Sequence, residues 1–137
     1  MQSKPAESSC EAPRHLYEYA VVQFSPSVER GEKLNVGLVM MCKRRRWVKA
    51  QILLDARLLG LFAPEWDLEV LESQLSSFEQ VAAGKGDSPI AALEAHERFR
   101  WLTAVRSACV STTRPHPGHT SDLETTFARL FQELVAR

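Results

Sequence analysis

Large apolar residues recur along this chain with two periods, and the change from one to the other marks its elements. Leu16 to Phe24 is rich in Tyr and Val and stops at Ser25-Pro26, the pattern of a strand ended by a turn. Val36 to Cys42 is a continuous apolar run of strand length that contains Gly37, apolar enough to lie centrally in a sheet. Trp47 to Leu54 alternates, with Val48, Ala50, Ile52 and Leu54 on one side and Lys49 and Gln51 on the other, which predicts a strand with one wetter face. Only Lys43 to Arg46 separates the second and third runs, so a β-hairpin connects them.

From Asp55 onward the period is helical. Asp55 is placed to cap a short helix through Phe62, and Asp67 a longer one ending near Gly84. Leu68, Leu71, Leu75, Phe78 and Ala82 fall on one stripe of the longer helix, which should cover a face of the sheet. Ser88-Pro89 is expected to open a third helical segment running to about Leu102, and Cys109 to Thr112 reads as a short further strand. Ser121-Asp122-Leu123-Glu124 has the form of a capping box, followed by Leu123, Phe127, Leu130 and Leu134 at helical spacing. These elements predict an α+β fold, a mainly antiparallel sheet of three to five strands packed against three or four helices.

Composition bounds this picture. The 137 residues, 45% hydrophobic and 25% charged, fit a single α+β domain over 15–137, preceded by a small, polar stretch, 1–14, read as a disordered leader without the apolar core of a signal peptide. No apolar run approaches the roughly 18 residues of a spanning helix, so no membrane role is expected. Cys10, Cys42 and Cys109 are odd in number and lack CxxC spacing, which points to reduced thiols in a cytoplasmic protein.

The net charge of zero conceals a partition: residues 28–49 carry +5 and 98–119 carry +4, while 50–97 carry −7. Should the two positive segments meet in space, they form one anion-attracting face. Within Arg98 to Ser107, arginines alternate with large apolar residues and no acid lies between 98 and 119. Phe99, Trp101 and Leu102 are expected in the core, whereas Arg98 and Arg100 either pair with Glu94 and Glu97 or join Arg106 in recognising an anion. The loop from Glu29 to Gly37 concentrates charge at a sheet end. Its plain reading is a solvated turn, its functional one a site lined by Arg30, Glu32 and Asn35, with Gly37 allowing a bulge or a close backbone approach. Lys43-Arg44-Arg45-Arg46-Trp47 is either a solubilising edge turn or a phosphate-binding tip with Trp47 stacking on a base.

His116-Pro117-Gly118-His119 has HxxH spacing, but its Pro-Gly pair reads as a loop and no further ligand lies nearby in sequence, so no metal or cofactor is expected. The residues just before the last helix, Thr120 and Ser121, would favour an anion on free amides there. No GxSxG elbow, P-loop or GxGxxG is present.

The Tyr17-Glu18-Tyr19 strand, the Glu29-Arg30-Gly31-Glu32 to Asn35-Val36-Gly37 loop, Arg98-Phe99-Arg100-Trp101-Leu102, Arg106-Ser107 and the Arg114-Pro115-His116-Pro117-Gly118 turn together resemble a bacterial family known as domain of unknown function 3037, over about residues 16 to 136. The resemblance implies a small cytoplasmic domain and, through the family's association with genes for kinases resembling the HipA toxin, such a kinase as partner. It implies no activity. The positions it singles out are Arg30, Glu32, Asn35, Gly37, Arg98, Arg100, Arg106 and His116, without roles. Three functions follow as expectations. The first is a non-catalytic accessory or binding module that engages a protein through an arginine-rich face. The second is a nucleic-acid-binding protein. The third is a phosphoryl-transfer or hydrolytic enzyme using His116 with Glu29 or Glu32.

Overall fold

A computed structural model describes residues 14–104 and 108–136. The expected leader, apart from Arg14, lies outside the described residues, as do Cys10 and Arg106. Strands β1 (His15–Phe24), β2 (Leu34–Cys42) and β3 (Trp47–Ile52) form an antiparallel meander, and the Lys43–Arg46 hairpin stands where the sequence placed it. β4 (Val110–Thr112) and β5 (His116–Thr120) both pair antiparallel with the other edge of β1, completing a five-stranded sheet. Helices α1 (Ala56–Phe62), α2 (Leu68–Ala82) and α3 (Ala95–Leu102) contribute to the core on one face, and α4 (Leu123–Leu134) covers the other. The fold is therefore α+β. Among the described residues no helix is long and apolar enough to cross a membrane.

Because both faces are covered, β2 is apolar without a break from Val36 to Cys42. Val39 and Met41 pack toward Leu59, Leu71, Leu75 and Phe99, whereas Leu38, Met40 and Cys42 pack toward Phe127, Leu130 and Phe131 of α4. A bulge sits where Val22 pairs with Gly37 but Gln23 pairs with Asn35, so Val36 is the extra residue. The bulge returns Val36 to the α1–α3 side. Gly37 meets its neighbours closely: a Cβ there would stand 2.5 Å from Ile52 Cδ1 and 2.8 Å from the Gln51 carbonyl oxygen. Of the two expectations for this glycine, the close approach is what the sheet requires.

Three expectations are corrected. The segment from Ser88 to Leu102 is not one helix: Ile90–Ala92 is a single 3-10 turn, Leu93 is extended at ψ 164°, and Glu94 then starts α3. Ser88 Oγ accepts from Ile90 N–H, and Glu97 reaches back to Glu94 N–H at 3.4 Å, so side chains close both short elements locally. His116 to His119 is a strand and not a loop. Pro117 is tolerated because β5 lies at the sheet edge, and Gly118 is required because the Tyr17 ring covers it where a Cβ would stand. Finally, the cap of α4 is Asp122, one residue later than the motif suggests; its carboxylate accepts from Thr125 N–H at 3.1 Å and from Thr125 Oγ1 at 2.8 Å.

Both edges of the sheet are obstructed. Glu79 of α2 accepts the Ile52 N–H of β3 at 2.9 Å. Between β4 and β5, three residues, Thr113 to Pro115, oppose Val21 and Ala20 of β1, so the other edge is bulged and carries Pro115 and Pro117. Such edges resist addition of another strand.

Candidate functional site

The residues singled out from the sequence are mostly engaged within the fold. Arg98 is half-buried; its Nε donates to Ala82 O at 3.2 Å and Nη1 to Leu93 O at 2.5 Å. Ala82 is the last residue of α2, and the helix closes there with a left-handed Gly84, Gly84 N–H donating to Val81 O and Lys85 N–H to Gln80 O. A cation at that carbonyl end is electrostatically matched to the helix dipole. Arg98 thus ties α2 to the turn before α3.

Arg100 forms a two-point pair with Glu18 of β1, at 2.7 and 2.6 Å. Hydrogen bonding from the guanidinium holds the Glu18 carboxyl below its ordinary range and raises the Arg100 guanidinium in return. Neither Glu94 nor Glu97 serves as its partner, contrary to the pairing considered from the sequence. Arg30 pairs with Glu32 at 2.8 Å within the exposed loop. Asn35 accepts from Gln23 Nε2 and donates to Leu134 O, both at 3.0 Å, and so pins the end of α4 to the bulged strand.

His116 stands opposite Tyr19 with its ring 5.3 Å from the tyrosine ring. The loop holding Glu29 and Glu32 leaves the sheet at Phe24, five residues and about 17 Å further along β1. The structure does not bring His116 together with either acid. Among the described residues no group of three His, Cys, Asp or Glu side chains could hold a metal ion. The start of α4 is likewise occupied by carboxylates, since Glu124 accepts from Lys49 Nζ at 2.7 Å and Trp47 Nε1 at 3.1 Å, and these donors lower its pKa. Asp122, held ionised by the Thr125 hydrogen bonds, adds a second negative charge there. An anion there would meet two carboxylates, one of which already takes the Thr125 amide. Trp47 lies edge-on to Phe127 and half-buried, so its ring belongs to the α4 interface, while Lys43 to Arg46 all remain exposed.

A surface that the sequence reading missed lies around α1. Four large apolar residues, Leu58, Leu59, Leu61 and Phe62, occupy this seven-residue helix, and only Leu59 is fully buried. Leu61 is 80% exposed and Leu58 42%, with Leu53, Leu68 and Val70 also exposed. Between α1 and the start of α2 opens a cleft of about 160 Å³ whose lining includes Phe24, Leu59, Gly60, Ala63, Trp66 and Leu71. Trp66 is fixed there by donating to Pro26 O at 3.2 Å and by its ring lying edge-on to Phe24, 5.0 Å away. A second cleft, about 210 Å³, lies between Leu53, Leu58, Val36 and Val135. The missed signal was four large apolar residues packed into Leu58–Phe62, a stripe wider than one sheet face covers.

No curated protein and no solved structure matches the chain. A family model matches residues 19–135, and the chain belongs to the family described as protein of unknown function (DUF3037).

Proposed function

We propose that the protein is a non-catalytic binding module of the bacterial cytoplasm that docks a protein partner, and that the docking surface is centred on α1. The observation that carries this reading is the exposure of Leu58 and Leu61 of α1 and of Leu68, which lines a preformed apolar cleft. Surfaces of that composition mark sites of association, because isolated exposure of one leucine is ordinary and exposure of several together is not. The arginine-rich face expected from the sequence has less to offer. Arg98 is taken up by backbone carbonyls, and Arg30 and Arg100 already hold carboxylates that an incoming acid would have to displace.

The test is capture of binding proteins from the host with the wild-type chain and with Leu58→Asp/Leu61→Asp. A kinase resembling the HipA toxin is the first partner to look for, on the family association given above. A protein held by the wild type and lost with the double variant is the expected result. Equal recovery with both chains would move the surface elsewhere, and recovery of nothing by either would end the docking reading.

The four exposed cations at the β2–β3 hairpin favour a second reading, electrostatic binding of nucleic acid without base stacking. It requires affinity that falls steeply with salt and is lost in Lys43→Gln/Arg44→Gln/Arg45→Gln/Arg46→Gln. Binding indifferent to either change would exclude it.

A further inference from the structure

We infer that the cleft between α1 and α2 receives a cationic amphipathic segment of a partner protein, with one leucine-sized anchor in the cleft and Lys or Arg on either side; this rests on the docking reading. The cleft sets the anchor. Its volume of about 160 Å³ is close to the roughly 150 Å³ apolar cavity that holds one benzene-sized guest, so one side chain fills it. Its wall at Gly60 is open, with no atom within 4 Å of the position a Cβ would take.

The rim sets the charge. Residues 55–72 carry five acids, Asp55, Glu65, Asp67, Glu69 and Glu72, against the single base Arg57. All six are exposed, and Glu65, Glu69 and Glu72 have no ion-pair partner among the described residues. An apolar slot lined by Pro64, Trp66, Leu68 and Leu71, whose chain neighbours include the unpaired Glu65, Glu69 and Glu72, favours lysine and arginine around an apolar anchor and repels acidic segments.

The same rim argues against other occupants. In a two-fold pairing of two copies through this surface, the acidic rims would face one another. The chain's own cations at Lys43 to Arg46 carry no exposed apolar anchor, because Trp47 is engaged with Phe127 and Glu124. An anionic lipid surface meets the rim with like charge.

The experiment titrates the full ¹⁵N-labelled chain with two synthetic helical peptides that share one leucine stripe and differ only in lysine or glutamate at every other position. The lysine peptide is expected to move the Gly60 amide and Trp66 indole signals saturably, and the glutamate peptide to bind about tenfold more weakly or worse. Gly60→Phe, which fills the cleft, should abolish binding, while Gly60→Ala should retain it. Both variants remain folded, since the site is spacious and glycine is the weaker helix former. Equal binding of the two peptides, binding that Gly60→Phe leaves intact, or shifts confined to other regions would overturn the inference. A dimer of the chain alone that Gly60→Phe dissociates would overturn it in favour of a second copy. Failure of both peptides, with a host partner still lost in Leu58→Asp/Leu61→Asp, would refute the cationic anchor and leave the docking reading standing.

Discussion

Arg98 and Arg100 stand two residues apart on α3 and look equivalent in the sequence, yet the structure predicts that they differ severalfold in what they contribute to stability. Arg98→Met removes two charge-assisted hydrogen bonds from a half-buried guanidinium and leaves the Ala82 and Leu93 carbonyls without that donor. Hydrogen bonds to a charged group contribute about 1.5–3 kcal/mol each, and methionine loses about as much side-chain entropy as arginine, so little is regained on substitution. For a half-buried group the lower end applies, and the expected loss is about 3 kcal/mol. Methionine retains most of the stem, so lost packing adds little.

Arg100→Met removes a pair whose side chains are 54% and 31% exposed, and such pairs contribute about 0–1 kcal/mol after screening. Urea denaturation followed by circular dichroism should place the Arg98→Met midpoint about 1 M or more below wild type and the Arg100→Met midpoint within about 0.5 M of it. Arg98→Lys should fall between, since an ammonium cannot reproduce the spread of the fork between two carbonyls. Equal losses for the two methionine variants, or an Arg98→Met protein indistinguishable from wild type, would refute the assignment of Arg98 to the fold.

Three further outcomes follow from the geometry. Gly37→Ala should cost about 1–3 kcal/mol of unfolding free energy in urea denaturation, because its methyl meets the Gln51 carbonyl, which is backbone, as well as the movable end of Ile52. Asn35→Ala should cost about 1–2 kcal/mol and speed amide exchange toward the end of α4, since Gln23 and the Leu134 carbonyl both lose their partner. Glu18 is depressed in the folded state, so its contribution is present above the carboxylate's unfolded pKa and is lost as pH falls through the folded value. Carboxyl NMR should show the Glu18 midpoint rising toward the ordinary range in Arg100→Gln, and an unmoved midpoint would mean that the pair does not persist in solution.

Elements whose signal is local were legible in the sequence. The meander of β1 to β3, the Asp55 and Asp67 caps and the end of α2 near Gly84 depend on residues within a few positions of one another. Elements decided by distant partners were not. His116-Pro117-Gly118-His119 has turn chemistry by every local criterion and is a strand only because β1 offers Tyr17 to cover the glycine and an edge to excuse the proline. The arginines follow the same logic. Absence of acids between 98 and 119 was a true observation, but Arg100 found Glu18 across 82 positions and Arg98 found main-chain carbonyls, which no charge count registers. Of the candidate positions, Asn35 and Gly37 flank the bulge at Val36, Arg98 is a clasp between helices and His116 an edge residue.

What the partition of charge does mean becomes visible only with α1 in place. The acidic middle of the chain offered Glu94 and Glu97 as partners for the arginines of α3. Glu79 instead guards the β3 edge, Glu97 closes the first turn of α3, and Glu65, Glu69 and Glu72 stay in solvent near α1. Acids that neither cap nor pair, near leucines that face away from the core, add little to the monomer, although Glu69 gains from its place in the first turn of α2. Close like charges slightly destabilise it, and exposed Leu61 gains nothing from folding. Both features take on a physical role together once a cationic apolar segment lies across them, when the carboxylates gain counter-charges and the leucine is withdrawn from water. On that account Leu61→Asp should lower the unfolding free energy by no more than about 1 kcal/mol, because Leu61 is 80% exposed and the main cost is an acid in the last turn of α1, while lowering partner affinity about tenfold or more. A large loss of stability would show instead that Leu61 belongs to the fold, and that the surface around α1 is part of the domain's own packing.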